Sequence, residues 1–211
     1  MYGSTYPLVQ PHIEGVFHQI LFPSLYLQER DWHLFLNDPE EFIRLVYGTI
    51  NTNAQYFYCI FINNHTSLDP KEEIHDVTVA TVSFIDDIIN YRASNFLNYL
   101  LSYVQERVTR YRKTHPEQRD YREKYACMTL FGALSKRIEK NNELSRHVSS
   151  FLEAHIIPEL KNPLPFVQYK VRFFFTSCTL HNNKIPFARL PGVSASFIMR
   201  NTRKLKYFSM R

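Results

Sequence analysis

Along most of this chain apolar residues recur at intervals of three and four, and almost nowhere do they alternate strictly, which leaves helix-on-helix packing as the way to bury them. Ile13, Val16, Phe17, Ile20 and Leu21 follow the i, i+3, i+4, i+7, i+8 spacing of a single buried stripe. Leu97, Leu100, Leu101, Val104, Val108 and Tyr111 repeat it, with Asn98, Ser102, Gln105, Glu106, Thr109 and Arg110 as the wet face. Further helices are predicted over roughly 70–90, 117–140, 142–160 and 164–180. The first opens at Pro70, with Glu72 and Glu73 in its first turn, where negative charge suits the helix dipole. The second has Pro116 at its start and runs through Tyr121, Tyr125, Met128, Leu134 and Ile138. Asn141-Asn142 supplies the joint and cap for the third, which carries Leu144, Val148, Phe151, Leu152 and Ile156. The last sets Val167, Val171, Phe174, Phe175 and Cys178 on one side, Lys170 and Arg172 on the other. Near the N-terminus, Asp38 is placed to cap a short helix with Pro39 at its first position and Glu41 at its third, anchored by Phe42, Ile43 and Leu45.

Short joints between such helices imply antiparallel pairs, roughly 70–90 with 93–113 and 117–140 with 142–160. Two helices also close alike. Ile20-Leu21-Phe22-Pro23-Ser24-Leu25 and His155-Ile156-Ile157-Pro158-Glu159-Leu160 share an apolar pair, a proline, one residue and a leucine. Pro23 and Pro158 stand 135 residues apart, three units of about 45, a length within the range of HEAT and armadillo repeats. The expected fold is therefore all-α, a HEAT/armadillo-type α-α superhelix, and an incomplete one, since neither end reads as the polar cap a solenoid needs. The segments divide as a helical repeat region over 1–45, an irregular insertion over 46–69, helix pairs over 70–184 and a basic, poorly ordered tail over 185–211. The insertion is rich in asparagine and aromatics (Asn51, Asn53, Tyr56, Phe57, Tyr58, Asn63, Asn64), and the tail opens on Pro186 and Pro191.

Composition closes off several classes of function. The glycines, Gly3, Gly15, Gly48, Gly132 and Gly192, stand alone, whereas a phosphate-cradling loop needs several together so that backbone N–H groups approach the anion. Cys59, Cys127 and Cys178 have no zinc-ligand spacing, and an odd number argues against a disulfide framework, so a reducing compartment is expected. The first basic residue is Arg30, and Glu14 interrupts the first apolar stretch, which is not the pattern of a signal peptide. No apolar run is long enough to cross a membrane. Asn64-His65-Thr66 is read as a chance match to a glycosylation acceptor. The net charge of +5 is unevenly spread: from 161 onward there are ten Lys or Arg and no Asp or Glu, which leaves −5 on residues 1–160. A mildly acidic body therefore carries a basic end.

The candidate chemical groups are few. Asp86 and Asp87 are adjacent, about 100° apart on a helix, and read as a solvated or partner-facing edge rather than an acid/base pair. His155 and Glu159 have the i, i+4 spacing of metal ligands, yet further ligands are missing, so a structural role is expected. Cys127 reads as a core residue. The cations Arg107, Arg110, Arg112, Lys113, His115, Arg119, Arg122 and Lys124 bracket Pro116 beside Tyr111 and Tyr121. That mixture suits nucleic acid in principle, but Glu106, Glu117, Asp120 and Glu123 are interleaved, and the cluster is read as a solvated joint of mixed charge. Arg200, Arg203, Lys204 and Lys206 form a purer patch, suited to nuclear targeting or RNA contact. Neither a nucleotide loop nor a spaced metal or nucleophile set is present, so no catalysis and no cofactor are expected.

Three pieces of the sequence together resemble the middle of a karyopherin-β nuclear transport receptor. One is Ile20-Leu21-Phe22-Pro23, then Trp32, then Asn37-Asp38-Pro39-Glu40-Glu41-Phe42-Ile43-Arg44; the others are Gly132-Ala133-Leu134 within 125–134 and the helix end of 151–160. The likeness covers residues 8–45 and 70–182 and is greatest to the importin-7 and importin-8 group. It implies a superhelix of HEAT repeats that carries basic cargo, such as ribosomal proteins or histones, through nuclear pores under the control of Ran-GTP. It also implies Phe-Gly nucleoporins bound between outer helices, and a location in nucleus, cytoplasm and nuclear envelope. The chain is far shorter than such receptors, so the N-terminal repeats that hold Ran are expected to be absent. Residues 46–69 and the tail have no counterpart, as sequence foreign to the original coding frame would not. The resemblance assigns no Ran or cargo contact to a particular residue. Two other classes remain open: a helical-repeat scaffold without transport, and a nucleic-acid-binding protein that uses the tail.

Overall fold

The computed structural model describes residues 10–39, 41–42, 77–91, 95–171 and 174, and among these every regular element is helical. Helix α1 covers residues 10–24, α2 Glu29–Asn37, α3 Val77–Tyr91, α4 Phe96–Lys113, α5 Tyr121–Lys140, α6 residues 142–161 and α7 residues 165–171. The insertion at 46–69, the tail at 185–211, the helix start at Pro70, and Arg172, Phe175 and Cys178 lie outside the described residues.

Side-chain contacts sort the helices into two rows. In one, α4 lies between α1 and α6: Phe17 packs edge-on against Phe96 (6.0 Å) and Tyr103 (5.2 Å), and Gln105 meets His155 at 3.3 Å. In the other, α5 lies between α3 and α7: Arg137 grips Asp86 through two bonds of 2.6 and 2.8 Å, and the Lys170 ammonium lies 4.3 Å from the Tyr125 ring centroid. Across the rows, Phe131 of α5 stacks on Phe151 of α6 with centroids 4.3 Å apart. Gly132 lies on the other side of α5, where a Cβ would stand 3.3 Å from the Phe174 ring. Outside the rows, α2 crosses to α7, with Trp32 edge-on to Phe166 at 5.1 Å. The repeat-like stacking is that of a HEAT/armadillo-type solenoid. Steps of about 45 from Pro23 reach residues 68 and 113; the second is the end of α4, and the first lies outside the described residues.

The helix ends follow local chemistry. The Asn141 side chain accepts from Glu143 N and Leu144 N and caps α6. The start of α5 differs from expectation. Pro116–Gln118 forms a separate 3-10 turn, and the helix begins at Tyr121, because the Asp120 side chain accepts from Arg122 N and Glu123 N and caps it there. Asp38 behaves as predicted: its Oδ1 accepts from Glu41 N at 3.0 Å, and Phe42 behind it is fully buried; Ile43 and Leu45 lie outside the described residues. Asp38→Ala should lower stability by about 1 kcal/mol in urea denaturation; an unchanged midpoint would mean the cap contributes nothing.

The two proline-ended helices share an unusual backbone. Each widens into a π-turn just before the proline, over Phe17–Leu21 in α1 and Leu152–Ile156 in α6. The residue before the proline closes the turn in both, Phe22 N donating to Phe17 O and Ile157 N to Leu152 O. Proline lacks the N–H for the i−4 carbonyl and its ring crowds that carbonyl, and a wider turn relieves both. The extra residue rotates the stripe. Ile20, expected inside, is 58% exposed, while Phe22 and Leu25 enter the core.

Candidate docking groove

Because α5 is surrounded, residues 123–131 are buried without a break, polar ones included. The cluster around Pro116 is solvated at Arg110, Arg112, Lys113, His115 and Arg122, as its mixed charge suggests, but its inner members are not: Glu123 is 7% and Lys124 2% exposed. Glu123 Oε1 accepts from Arg107 Nη1 at 2.9 Å and from Arg110 Nη2 at 2.7 Å. Arg122 donates to the Leu27 carbonyl, and Arg119 to the Thr114 carbonyl with its guanidinium over the Tyr111 ring. These cations join α4, α5 and the α1–α2 connection. Lys170 is also buried at 3%, not on a wet face, with its ammonium 4.3 Å from the Tyr125 ring centroid.

Lys124 answers a need created by the π-turn in α6. Pro158 leaves the Ala154 carbonyl without its i+4 donor, and the tightening at Ile157–Lys161 breaks the regular ladder for the next one. Lys124 Nζ donates to His155 O at 2.6 Å and faces Glu159 Oε1 at 3.5 Å, while Arg112 Nη1 reaches Ala154 O. Burial pulls the lysine pKa below its ordinary value, and the Glu159 carboxylate opposes that. Glu159 Oε2 also accepts from Asn162 Nδ2 and the Tyr111 hydroxyl. His155 and Glu159 thus act structurally, as expected, and each turns to different partners. Among the described residues no three His, Cys, Asp or Glu side chains gather where a metal could sit. Asp86 is bound to Arg137 and Asn90 rather than solvated, whereas Asp87 is exposed. Cys127 is 1% exposed, and burial pushes its thiol up to about 12, so it stays a protonated core residue.

Beside this network the row of α1, α4 and α6 has two seams. The α1–α4 seam is filled from within: Tyr103 lies 5.2 Å from Phe17 and 4.9 Å from Phe22, and the Tyr99 hydroxyl meets His18 Nε2 at 2.6 Å. The α4–α6 seam is open as a cavity of about 550 Å³. Leu101, Ser102 and Gln105 form one wall, Leu144, Val148 and Phe151 the other, and Phe131 and Ile138 of α5 the floor. No Asp, Glu, Lys or Arg lines it. His155, at one end, is held neutral: burial first, then the Lys124 and Arg112 cations, push its pKa down to about 4. His147, Ser150 and Ala154 complete the lining, which therefore suits an apolar group beside several hydrogen-bonding neighbours. Periodicity placed Leu101, Leu144, Val148 and Phe151 on buried stripes and did not mark a groove; the small Ser102 opposite Phe151 is the only signal the sequence offers.

The neutral histidine has a pH consequence. In the unfolded chain His155 takes up a proton near its ordinary pKa of 6.5, but in the fold only near 4. Unfolding then binds a proton between those values, so stability is full above about 6.5 and falls as pH drops towards 4. The loss should be roughly 3 kcal/mol by pH 4, and His155→Gln should flatten that part of the profile. Equal slopes in variant and parent would remove His155 as the cause.

A helical-repeat array stacked in this way defines the class of HEAT/armadillo-type solenoids. Sequence comparison agrees at the same level. The chain is 22% identical over 168 residues to an importin beta-like SAD2 homolog of Arabidopsis thaliana, covering 80% of this chain and 14% of that protein. It is 22% identical over 176 residues to a probable importin-7 homolog of Dictyostelium discoideum, covering 83% of this chain and 15% of that protein. The chain thus spans about one-seventh of the length of these relatives. No family model matches it, and no solved structure does. The chain is distantly homologous to importin-β superfamily members and takes a place among karyopherin-like helical-repeat proteins. Among the described residues no helix is long and apolar enough to cross a membrane.

Proposed function

We propose that this chain is a section of an importin-like nuclear transport receptor, and that the α4–α6 groove takes the phenylalanine of a Phe-Gly nucleoporin peptide. The observation that carries the proposal is the difference between the two seams. Where α1 meets α4 the chain's own Tyr103 ring lies against Phe17 and Phe22; where α4 meets α6 the corresponding space is an open groove, its apolar residues interspersed with Ser102, Gln105, His147, Ser150 and His155. An aromatic ring from a partner would stack near Phe131 and Phe151 as Tyr103 packs in the other seam. An extended peptide then gives up little order and contributes one buried side chain per site.

The rest of the reading concerns the longer protein. It carries basic cargo, ribosomal proteins or histones, on an acidic body that bears −5 over residues 1–160. Ran-GTP releases the cargo, and the protein works between cytoplasm and nucleus, at the nuclear envelope. The names of the two relatives, one of them a probable importin-7 homolog, favour this over a scaffold without transport. It acts without catalysis and without a cofactor.

A labelled Phe-Gly peptide should bind with Kd on the order of 0.1–1 mM, the scale one buried side chain supplies. Ser102→Trp, at an exposed position on the groove wall, should abolish binding by filling the seam while helicity stays unchanged. A Ser-Gly peptide should not bind. Equal binding to parent and S102W, or none at several times that concentration, would sink the proposal.

A further inference from the structure

We propose, on the Phe-Gly reading of the α4–α6 groove, that Gln105 reads the main chain of the bound peptide, its side-chain carbonyl accepting the N–H of the glycine that follows the phenylalanine. Gln105 is exposed on the α4 wall of the groove, one turn from both Leu101 and Ser102. Its Nε2 stands 3.3 Å from Thr109 Oγ1 on its own helix and 3.3 Å from His155 Nε2 across the seam. Both N–H groups of the amide are thus directed at partners. Among the described residues nothing donates to its Oε1, which is left as an acceptor on the wall of the groove.

His155 is the positioning residue that holds the amide this way round. Burial and the Lys124 and Arg112 cations keep its ring neutral, so one ring nitrogen carries a proton and the other accepts. With Nε2 accepting from Gln105, the proton stays on Nδ1, and Nδ1 is buried with no partner. A buried donor without an acceptor costs free energy, and the other proline-ended helix shows that the π-turn does not require one. Displaced by the 135 residues that separate Pro23 from Pro158, His155 corresponds to Ile20. The second unit therefore carries an imidazole in the same turn where the first carries an apolar side chain. The hydrogen bond that this imidazole makes is the one to Gln105, so the costly group serves to fix an amide on the groove wall.

The amide stands beside the slot for the incoming ring. The His155 ring centroid is 5.2 Å from that of Phe151, which with Phe131 forms the aromatic side of the groove. A phenylalanine entering there brings its flanking main chain against the Gln105 wall and strips water from the next N–H, for which Oε1 is the replacement acceptor. Glycine suits that place because it has no Cβ to hold the main chain away from the wall.

Two ligands titrated into the full chain and followed by NMR test this: a Phe-Gly peptide, and its ester analogue in which oxygen replaces the glycine N–H. The ester should bind the parent about three- to tenfold more weakly, the scale of one neutral hydrogen bond. Gln105→Met, of similar length and at an exposed position, should bind the Phe-Gly peptide as weakly as the parent binds the ester, and should bind both ligands alike, with circular dichroism unchanged. Equal binding of both ligands by the parent would overturn the role of Gln105 and leave the groove as a Phe-Gly site. Discrimination retained in Gln105→Met would assign the N–H to another acceptor and overturn it as well. No binding of the Phe-Gly peptide by the parent would end both proposals.

Discussion

Glu159→Ala is expected to destabilise the protein by about 3–5 kcal/mol, the usual cost of stranding one member of a buried ion pair. Lys124 is 2% exposed and would keep the His155 carbonyl and the Tyr111 ring, 4.9 Å away, but no counter-charge. Water cannot replace the carboxylate there. The reverse change, Lys124→Met, should cost somewhat less, because Glu159 would retain the Asn162 amide and the Tyr111 hydroxyl. Lys124→Met with Glu159→Leu should recover most of the loss, since an apolar pair of similar volume carries no unpaired charge. Urea denaturation of the parent, Lys124→Met, Glu159→Leu and the double variant gives the coupling directly. Additive single losses would show that the two groups do not depend on each other.

Phe17→Ala should cost a similar amount, about 3–5 kcal/mol. Its ring is fully buried, and Phe22, Phe96, Tyr99 and Tyr103 all have ring centroids within 6.1 Å of it. Truncation leaves a cavity at the point where the π-turn has already given up regular helix geometry, so little backbone can close in to fill it. Phe17→Leu should cost less than half as much, because the corresponding position of the second unit is Leu152, also fully buried, in the same turn. If alanine and leucine were equally costly, the aromatic packing and not the filled volume would be the source.

Distant similarity and the open seam bear on the same question from different directions. At 22% identity over a stretch that spans 14–15% of the relatives, sequence alone indicates ancestry and repeat architecture. The groove adds a chemistry that can be tested on this chain by itself: a lining without Asp, Glu, Lys or Arg, a floor of Phe131 and Ile138, and an internal example of a ring packed in the equivalent seam.

Much of the fold was legible because it depends on residues a few positions apart. The Asp38 and Asn141 caps are short-range bonds between a side chain and backbone N–H groups two or three residues on, and the sequence places both. The stripe through Leu100, Val104, Val108 and Tyr111 is buried as its spacing requires, and the matched prolines mark two helices that share even their π-turn. The same reasoning failed wherever the outcome depended on which helix came to lie alongside. Glu123, Lys124 and Lys170 are charged and read as wet, yet they are buried, because α4, α6 and α5 bring partners from 13 to 45 positions away in the chain. Asp86 gained Arg137 in the same way, across 51 positions. Ile20 moved to the surface because one inserted residue turns a helix stripe by about 100°, and a period of 3.6 carries no mark of where the insertion falls. The groove has the same origin. Ser102 and Phe151 belong to different helices, and only their approach across α5 shows that one leaves space where the other offers a ring. Local sequence thus set where helices begin, end and kink, while the choice of neighbours, made by long-range packing, set which charges are buried and which seam stays open.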